Sequence, residues 1–281
     1  MTFKKIKSHA KINLALNIVG KSFSLHKIES IVAFISLHDD IFIKKIRSQR
    51  HDISFEGKFS KGINKKNTVY QLLKILDKKK LLQNQKFKIK VNKKIPSKSG
   101  LGGGSMNAAN ILKYFLDTRI IKTNKKEIIR ICKLVGSDVI LGLKSSNSIL
   151  TAQEKIRYFT RCKKFYTLIV KPNFGCSTSQ IYAMVKKFKK PQFNRPKKKM
   201  FEVNFLKKSG NCLEEIAFLK YPKLKSLKIF LKNLANPVFV RMTGSGSTLV
   251  AYYKSKKRCE SAKKKFNDKY KNYWCISSKT I

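Results

Sequence analysis

The run Lys94-Ile-Pro-Ser-Lys-Ser-Gly-Leu-Gly-Gly-Gly-Ser-Met-Asn-Ala-Ala109 constrains this chain more than any other, because it sets four glycines within five positions between a strand pattern and a helix pattern. Upstream, Phe87, Ile89 and Val91 alternate with Lys88, Lys90 and Asn92, the period of a half-buried strand. Downstream, Ala108, Ala109, Ile111, Leu112, Phe115 and Leu116 fall on one face of a helix that Ser105 is placed to cap. Gly100, Gly102, Gly103 and Gly104 are thus expected just before a helix N-terminus, where unpaired N–H groups and the positive end of the dipole attract an anion. Without Cβ atoms, backbone comes close to such a ligand.

A flexible linker is the plain alternative, but linkers are seldom bracketed this tightly by periodic apolar segments. Two familiar phosphate loops do not fit. The P-loop ends in Gly-Lys-Ser/Thr, whereas Gly104 runs directly into Ser105; the dinucleotide fingerprint needs an acid about twenty residues on, and Asp117 comes too early. A different nucleotide loop is left.

Composition points to a globular protein without naming its chemistry. At 281 residues and 42% hydrophobic content, two modest domains can each bury a core. No apolar run approaches the roughly eighteen residues of a membrane span, and residues 1–7 lead straight into a motif with no signal peptide pattern, so a cytoplasmic protein is expected. Cys132, Cys162, Cys176, Cys212, Cys259 and Cys275 are far apart, without a CxxC pair, and read as reduced structural thiols; no metal ligands are evident. The formal charge of +49 pulls toward a nucleic-acid binder. Yet only 9 of the 64 cationic residues are arginine, the side chain that reads bases and grips phosphates bidentately, and the lysines are spread through every segment. A solvated lysine surface, able to gather polyanionic substrates, is the better reading.

Four ordered segments carry a resemblance. Pro96-x-x-x-Gly-Leu-Gly-Gly-Gly-Ser105 is similar to the central loop of the GHMP kinases, small-molecule kinases named after galactose, homoserine, mevalonate and phosphomevalonate. Ser8-His-Ala-Lys-Ile-Asn-Leu-Ala-Leu16 resembles their amino-terminal motif, Leu134-Val-Gly-Ser-Asp-Val139 their Gly-Ala-Asp-Val segment, and Arg241-Met-Thr-Gly-Ser-Gly-Ser247 their carboxy-terminal glycine loop. Order and spacing, with Lys171-Pro-Asn-Phe-Gly-Cys-Ser-Thr178 between the last two, look most like the member whose acceptor is a cytidine diphospho-sugar alcohol. The likeness covers nearly the whole chain, from Lys11 to about Tyr253.

The resemblance implies an α+β fold of two domains, 1–153 and 154–281. The first is a ribosomal-protein-like domain carrying the ATP loop and the second a ferredoxin-like α/β domain, with the active site in the cleft between them. It implies ATP as co-substrate, with Mg2+, and a monomer or homodimer with no specific nucleic acid and no membrane among its partners. Homoserine-type or mevalonate-type acceptors stay open as alternatives, as does, more remotely, nucleic-acid binding.

Phosphoryl transfer to an alcohol needs a triphosphate cradle, a cation against developing charge, and a group that positions or deprotonates the hydroxyl. The loop from Pro96, Ser97, Lys98, Ser99, Gly100, Leu101, Gly102, Gly103 and Gly104 to Ser105 and Met106 supplies the first. By the resemblance, Lys11 and Asp138 are the catalytic pair, Asp138 accepting the hydroxyl proton and Lys11 drawing the acceptor oxygen into line. Asn67 and Lys93 match residues near adenine and phosphates, although a helix cap and a strand-edge lysine would look alike in sequence. Asn13, His26, Thr178 and Tyr182 match acceptor-binding positions, with His26 on the cytosine edge and Tyr182 stacked on the base. A satisfied surface histidine and a helix-face core aromatic are the alternatives. The chain also departs from the family pattern. The acceptor loop is a residue shorter than usual and reads Phe23-Ser-Leu-His26 in place of Asp-Gly-Tyr-His, which puts Leu25 where a tyrosine is expected, so one wall of the cytidine pocket is rebuilt. Met106, Ile140 and Cys212 replace a serine, a proline and an aspartate, and the Gly-x-Gly-Glu after the fourth motif is lost at Gln153-Glu-Lys155.

Along the rest of the chain, residues 6–20, 31–46 and 165–170 read as strands, and 68–82, 125–134, 179–187, 224–234 and 260–266 as helices. Residues 238–242 and 248–253 read as a hairpin, and 188–199 as a basic insertion.

Overall fold

A computed structural model describes residues 2–22 and 25–281; Phe23, Ser24 and the side chain of Leu25, which carry the acceptor-loop departure, lie outside the described residues. The chain forms two compact units. One comprises residues up to Ala10, Leu37–Ser97 and Gly102–Ser145, the other Lys11–Ser36, Lys98–Leu101 and Ser146–Ile281. Strands β1 (Lys4–Ser22) and β2 (Leu25–Ile46) each contribute residues to both.

In the first unit follow β3 (Asp52–Glu56), α1 (Thr68–Lys78), β4 (Lys86–Asn92), α2 (Gly103–Asp117), α3 (Lys125–Val135) and the short α4 (Val139–Gly142). The alternation in β4 does what the sequence predicts: Phe87, Ile89 and Val91 are buried and the lysines between them are not. β4 pairs antiparallel with β2, placing Ile89 opposite Ile43 and Val91 opposite Ile41, and parallel with β3. Leu72 and Leu76 of α1, Ile111 and Phe115 of α2 and Ile131 of α3 close one core with these strand residues. Helix α1 stops short of residue 82 because Lys80 takes a positive φ of 53°, and the Leu81 N–H returns to the Leu76 carbonyl.

The start of α2 corrects the sequence reading. Ser105 does not cap it. The helix begins at Gly103, with Gly102 as N-cap at φ 70° and no side-chain cap hydrogen bond, so Gly103, Gly104 and Ser105 form its first turn. Glycine enters this left-handed conformation at no Cβ cost, and the opening N–H groups of a helix have no intrahelical acceptor.

The second unit continues with β5 (Asn147–Leu150), β6 (Ile156–Phe159), β7 (Tyr166–Lys171), α5 (Thr178–Ala183), α6 (Val203–Lys208), α7 (Leu213–Lys220), α8 (Pro222–Lys232), β8 (Phe239–Met242), β9 (Leu249–Tyr253), α9 (Lys256–Lys269) and β10 (Trp274–Lys279). β5 pairs with β2 and β6. The other four strands make an antiparallel sheet ordered β10-β7-β9-β8. With helices between β7 and β8 and between β9 and β10, that is the split β-α-β arrangement of ferredoxin-like domains. The hairpin reading of residues 238–253 holds. Helix α9 is longer than read because Ser255 caps it, accepting from the Arg258 N–H, and α5 ends at Ala183, short of residue 187.

Candidate active site

In the first unit, the approach to the glycine loop is built on Asp39, which the sequence reading did not single out. Its carboxylate is fully buried in β2. Oδ1 accepts the N–H groups of Lys94 (2.7 Å) and Ile95 (2.9 Å), and Oδ2 accepts Asn107 Nδ2 of α2 (2.9 Å) and the ammonium of Lys93. Asp39 therefore fixes both ends of the loop at once. Lys93 is 4% exposed, and a Cβ on Gly103 would lie 3.3 Å from its Nζ and 3.0 Å from Ile95. The cation is held under the first turn of α2, where it reinforces the positive end of the helix dipole.

The sequence-predicted residues of the loop divide by exposure. Ser97, Lys98 and Gly104 are exposed, whereas Leu101, Gly103 and Met106 are buried, as is Ile95 just before the loop. Pro96 and Ser99 are buried as well. Asn67 caps α1, its Oδ1 accepting from the N–H groups of Val69 (2.9 Å) and Tyr70 (3.3 Å). Asp138 occupies the position before α4, half-buried, and α4 packs on α2.

In the second unit, Lys11 is 4% exposed and its Nζ donates to Asn13 Oδ1 at 2.9 Å. That oxygen also accepts the Gly244 N–H (3.0 Å) and the Thr243 hydroxyl (3.3 Å), while Asn13 Nδ2 donates to Ser30 Oγ (2.8 Å). The amino-terminal and carboxy-terminal motifs, read separately in sequence, meet here through one amide. Asn211 braces the same turn, donating to the Met242 and Gly244 carbonyls. Residues 98–101 lie against it too. The Lys11 N–H donates to the Leu101 carbonyl (3.0 Å), and the Thr243 hydroxyl shares its one proton between Asn13 Oδ1 and Gly100 O (3.2 Å). Gly100 has a φ of 74°, and a Cβ there would collide with the Thr243 carbonyl oxygen.

The predicted acceptor residues also cluster within this unit. The rings of His26 and Tyr182 lie 5.3 Å apart, tilted by 50°. Burial, and next the charge of Lys21, push the His26 imidazole below its ordinary pKa, which favours the neutral ring at pH 7. The Thr178 hydroxyl hydrogen-bonds Ser245 Oγ (2.8 Å), joining the start of α5 to the carboxy-terminal glycine loop.

Comparison with known proteins decides what this arrangement belongs to. Residues 67–150 match the GHMP kinases N terminal domain and residues 184–272 the GHMP kinases C terminal domain. The chain belongs to the GHMP kinase family. It is 54% identical over 277 residues, 99% of each chain, to the 4-diphosphocytidyl-2-C-methyl-D-erythritol kinase of Pelagibacter ubique. It is 31% identical over 262 residues, 90% of this chain and 86% of the other, to the protein of the same name in Buchnera aphidicola. A crystal structure of 4-(cytidine 5'-diphospho)-2C-methyl-D-erythritol kinase shares the fold, with a TM-score of 0.80 at 20% identity over 99% of this chain and all of the other. Mevalonate kinase of L. major aligns with a TM-score of 0.70 at 14% identity over 99% and 97%.

As a GHMP kinase the chain is an ATP-dependent small-molecule kinase, and its α+β fold of two GHMP domains is the one the resemblance implies. Among the described residues no helix is long and apolar enough to cross a membrane, and no three His, Cys, Asp or Glu side chains gather as a metal site. What the sequence did not show in this GHMP kinase is its bracing. Asp39 holds the backbone of Lys94 and Ile95 across 55 and 56 residues of chain, and Asn211 that of Met242 and Gly244 across 31 and 33. A carboxylate inside the apolar run 31–46 was the available signal for the first, since an acid there must find donors.

Proposed function

We propose that this GHMP kinase transfers the γ-phosphoryl group of ATP to the 2-hydroxyl of 4-diphosphocytidyl-2-C-methyl-D-erythritol, an intermediate of the non-mevalonate isoprenoid route. The observation that carries the reading is the 54% identity, over 99% of both chains, to the Pelagibacter ubique kinase of that name. The His26 and Tyr182 rings, beside a hydroxyl pair at Thr178 and Ser245, suit a pyrimidine nucleotide better than the small aliphatic acceptors of homoserine or mevalonate kinases.

In this reading the triphosphate lies over the first turn of α2, with unpaired N–H groups from Gly103 to Ser105 and the exposed Lys98 around it. Lys93 adds positive charge from below, and Asn67 borders the adenine. Asp138 takes the proton of the 2-hydroxyl as the acceptor oxygen attacks the γ-phosphorus. Lys11, aimed by Asn13, steadies the charge that builds on that oxygen. Asn13 and Thr178 border the acceptor. A Mg2+ ion would accompany the nucleotide, held chiefly by its phosphate oxygens, and would offset the charge on the transferring phosphoryl group. The GHMP domains divide near residue 153, and the enzyme works in the cytoplasm as a monomer or homodimer.

The test is ADP release with 4-diphosphocytidyl-2-C-methyl-D-erythritol, mevalonate and homoserine offered in parallel. Turnover with the first and none with the others supports the reading. Turnover with either of the others and none with the first overturns it.

A further inference from the structure

The basic segment after α5 reads in sequence as an insertion, yet it is pinned at several points. Lys189 N–H donates to the Ile18 carbonyl of β1 (2.8 Å), and the Ala152 N–H to Asn194 Oδ1 (3.2 Å). Between them stands Glu29. This carboxylate is fully buried, and the described structure pairs it with neutral donors: the N–H groups of Gln192 (2.8 and 3.1 Å) and Phe193 (2.8 Å), and Asn17 Nδ2 (2.9 Å). Phe193 is driven fully inside, 6.3 Å from the ring of Phe205. Burying a carboxylate among amides is costly unless its lone pairs are met, and here strand β1 and the loop meet them.

That anchoring fixes an aromatic ring with no place in the core. Phe188, the residue before the Lys189 anchor, is 49% exposed, and its ring centroid lies 6.4 Å from the His26 imidazole at an interplanar angle of 57°. His26 is thus flanked by Tyr182 and Phe188, and Lys186, Lys187, Lys189 and Lys190, the sequence neighbours of Phe188, are exposed. An exposed aromatic beside an imidazole, edged with ammonium groups, is the chemistry that takes a nucleobase and its phosphates.

We infer that Phe188 is a specificity-determining wall of the acceptor pocket, stacking on the pyrimidine in this chain where Leu25 replaces a tyrosine, and that Glu29 is the positioning residue that sets it there. This rests on the acceptor reading above and adds to it a wall supplied by a segment outside the motifs.

Two ligands test it, cytidine monophosphate by direct titration and the full acceptor by steady-state kinetics. Phe188→Ala should weaken cytidine monophosphate binding and raise the acceptor KM about tenfold, within the loss of one base–aromatic stack, while the ATP KM stays put and Phe188→Trp restores both. Glu29→Gln, which keeps one acceptor oxygen, should shift the acceptor KM in the same direction and speed tryptic nicking at Lys186, Lys187 and Lys189. Combining it with Phe188→Ala should add little, because both act through one ring. Unchanged cytidine monophosphate affinity in Phe188→Ala overturns the assignment of the wall. Fully additive losses overturn the role of Glu29. If the wild type binds cytidine monophosphate through Phe188 but phosphorylates no cytidine diphospho-alcohol, the function reading falls and the wall stands.

Discussion

Asp39 and Lys93 form an ion pair 54 residues apart in sequence, with 0% and 4% of their side chains exposed. The carboxylate also takes the N–H groups of Lys94 and Ile95 and the amide of Asn107, so a strand, the entry to the glycine loop and the helix that follows it converge on one side chain. The pair sits under the loop, and its charge is spent on shaping that loop as much as on any ligand.

Removing the acid alone strands the ammonium. Asp39→Ala should cost about 3–5 kcal/mol of folding stability, the range for breaking a buried pair at one partner. Urea unfolding against the wild type measures it. A loss under about 1 kcal/mol, the value of a solvated pair, would contradict the burial argument.

Gly100 and Gly104 are both loop glycines, but their surroundings differ. Alanine at Gly100 meets a positive φ, which costs roughly 1–2 kcal/mol, and a collision with the Thr243 carbonyl as well. At Gly104 a Cβ would only approach the Thr68 hydroxyl, at 3.2 Å. Gly100→Ala should therefore lower Tm clearly more than Gly104→Ala, as thermal melts of the two variants will show. An equal or reversed order would mean that residues 98–101 do not rest on the carboxy-terminal glycine loop.

Burial pushes the thiols of Cys132, Cys259 and Cys275 up to about 12 and that of Cys176 to about 11. In the unfolded chain they titrate near pH 9, so between about pH 9 and 12 the folded state holds more protons and stability falls as pH rises. At pH 8 these four should react with iodoacetamide only as fast as the protein opens, since the thiolate is the nucleophile. Rapid labelling of all six cysteines in the folded protein would contradict this.

Local patterns carried much of the fold. The β4 alternation and the apolar faces of α1, α3 and α8 are single-segment signals, and the structure keeps them. The glycine loop was legible as an anion site, yet its cap was misplaced. Ser105 is an ordinary cap residue by type, and only backbone geometry shows that Gly102 starts the helix at a left-handed φ. Strand β10 escaped notice because Trp274 to Ser278 are all half-buried, without alternation, and its pairing with β7 lies across more than a hundred residues. Distance hid the bracing too. Glu29 meets Gln192 and Phe193 across 163 and 164 residues, and Asn13 meets Gly244 across 231, contacts to which no local period points.

Transfer of labelled γ-phosphate from ATP to 4-diphosphocytidyl-2-C-methyl-D-erythritol can be followed for the wild type and Asp138→Asn side by side, with ATP affinity titrated for both. The wild type should phosphorylate the 2-hydroxyl, and the variant should lose about 100-fold or more, the scale of a missing general base, with ATP affinity nearly unchanged. Near-normal transfer by Asp138→Asn, or no transfer to this acceptor by a wild type that binds ATP, would contradict the proposed mechanism.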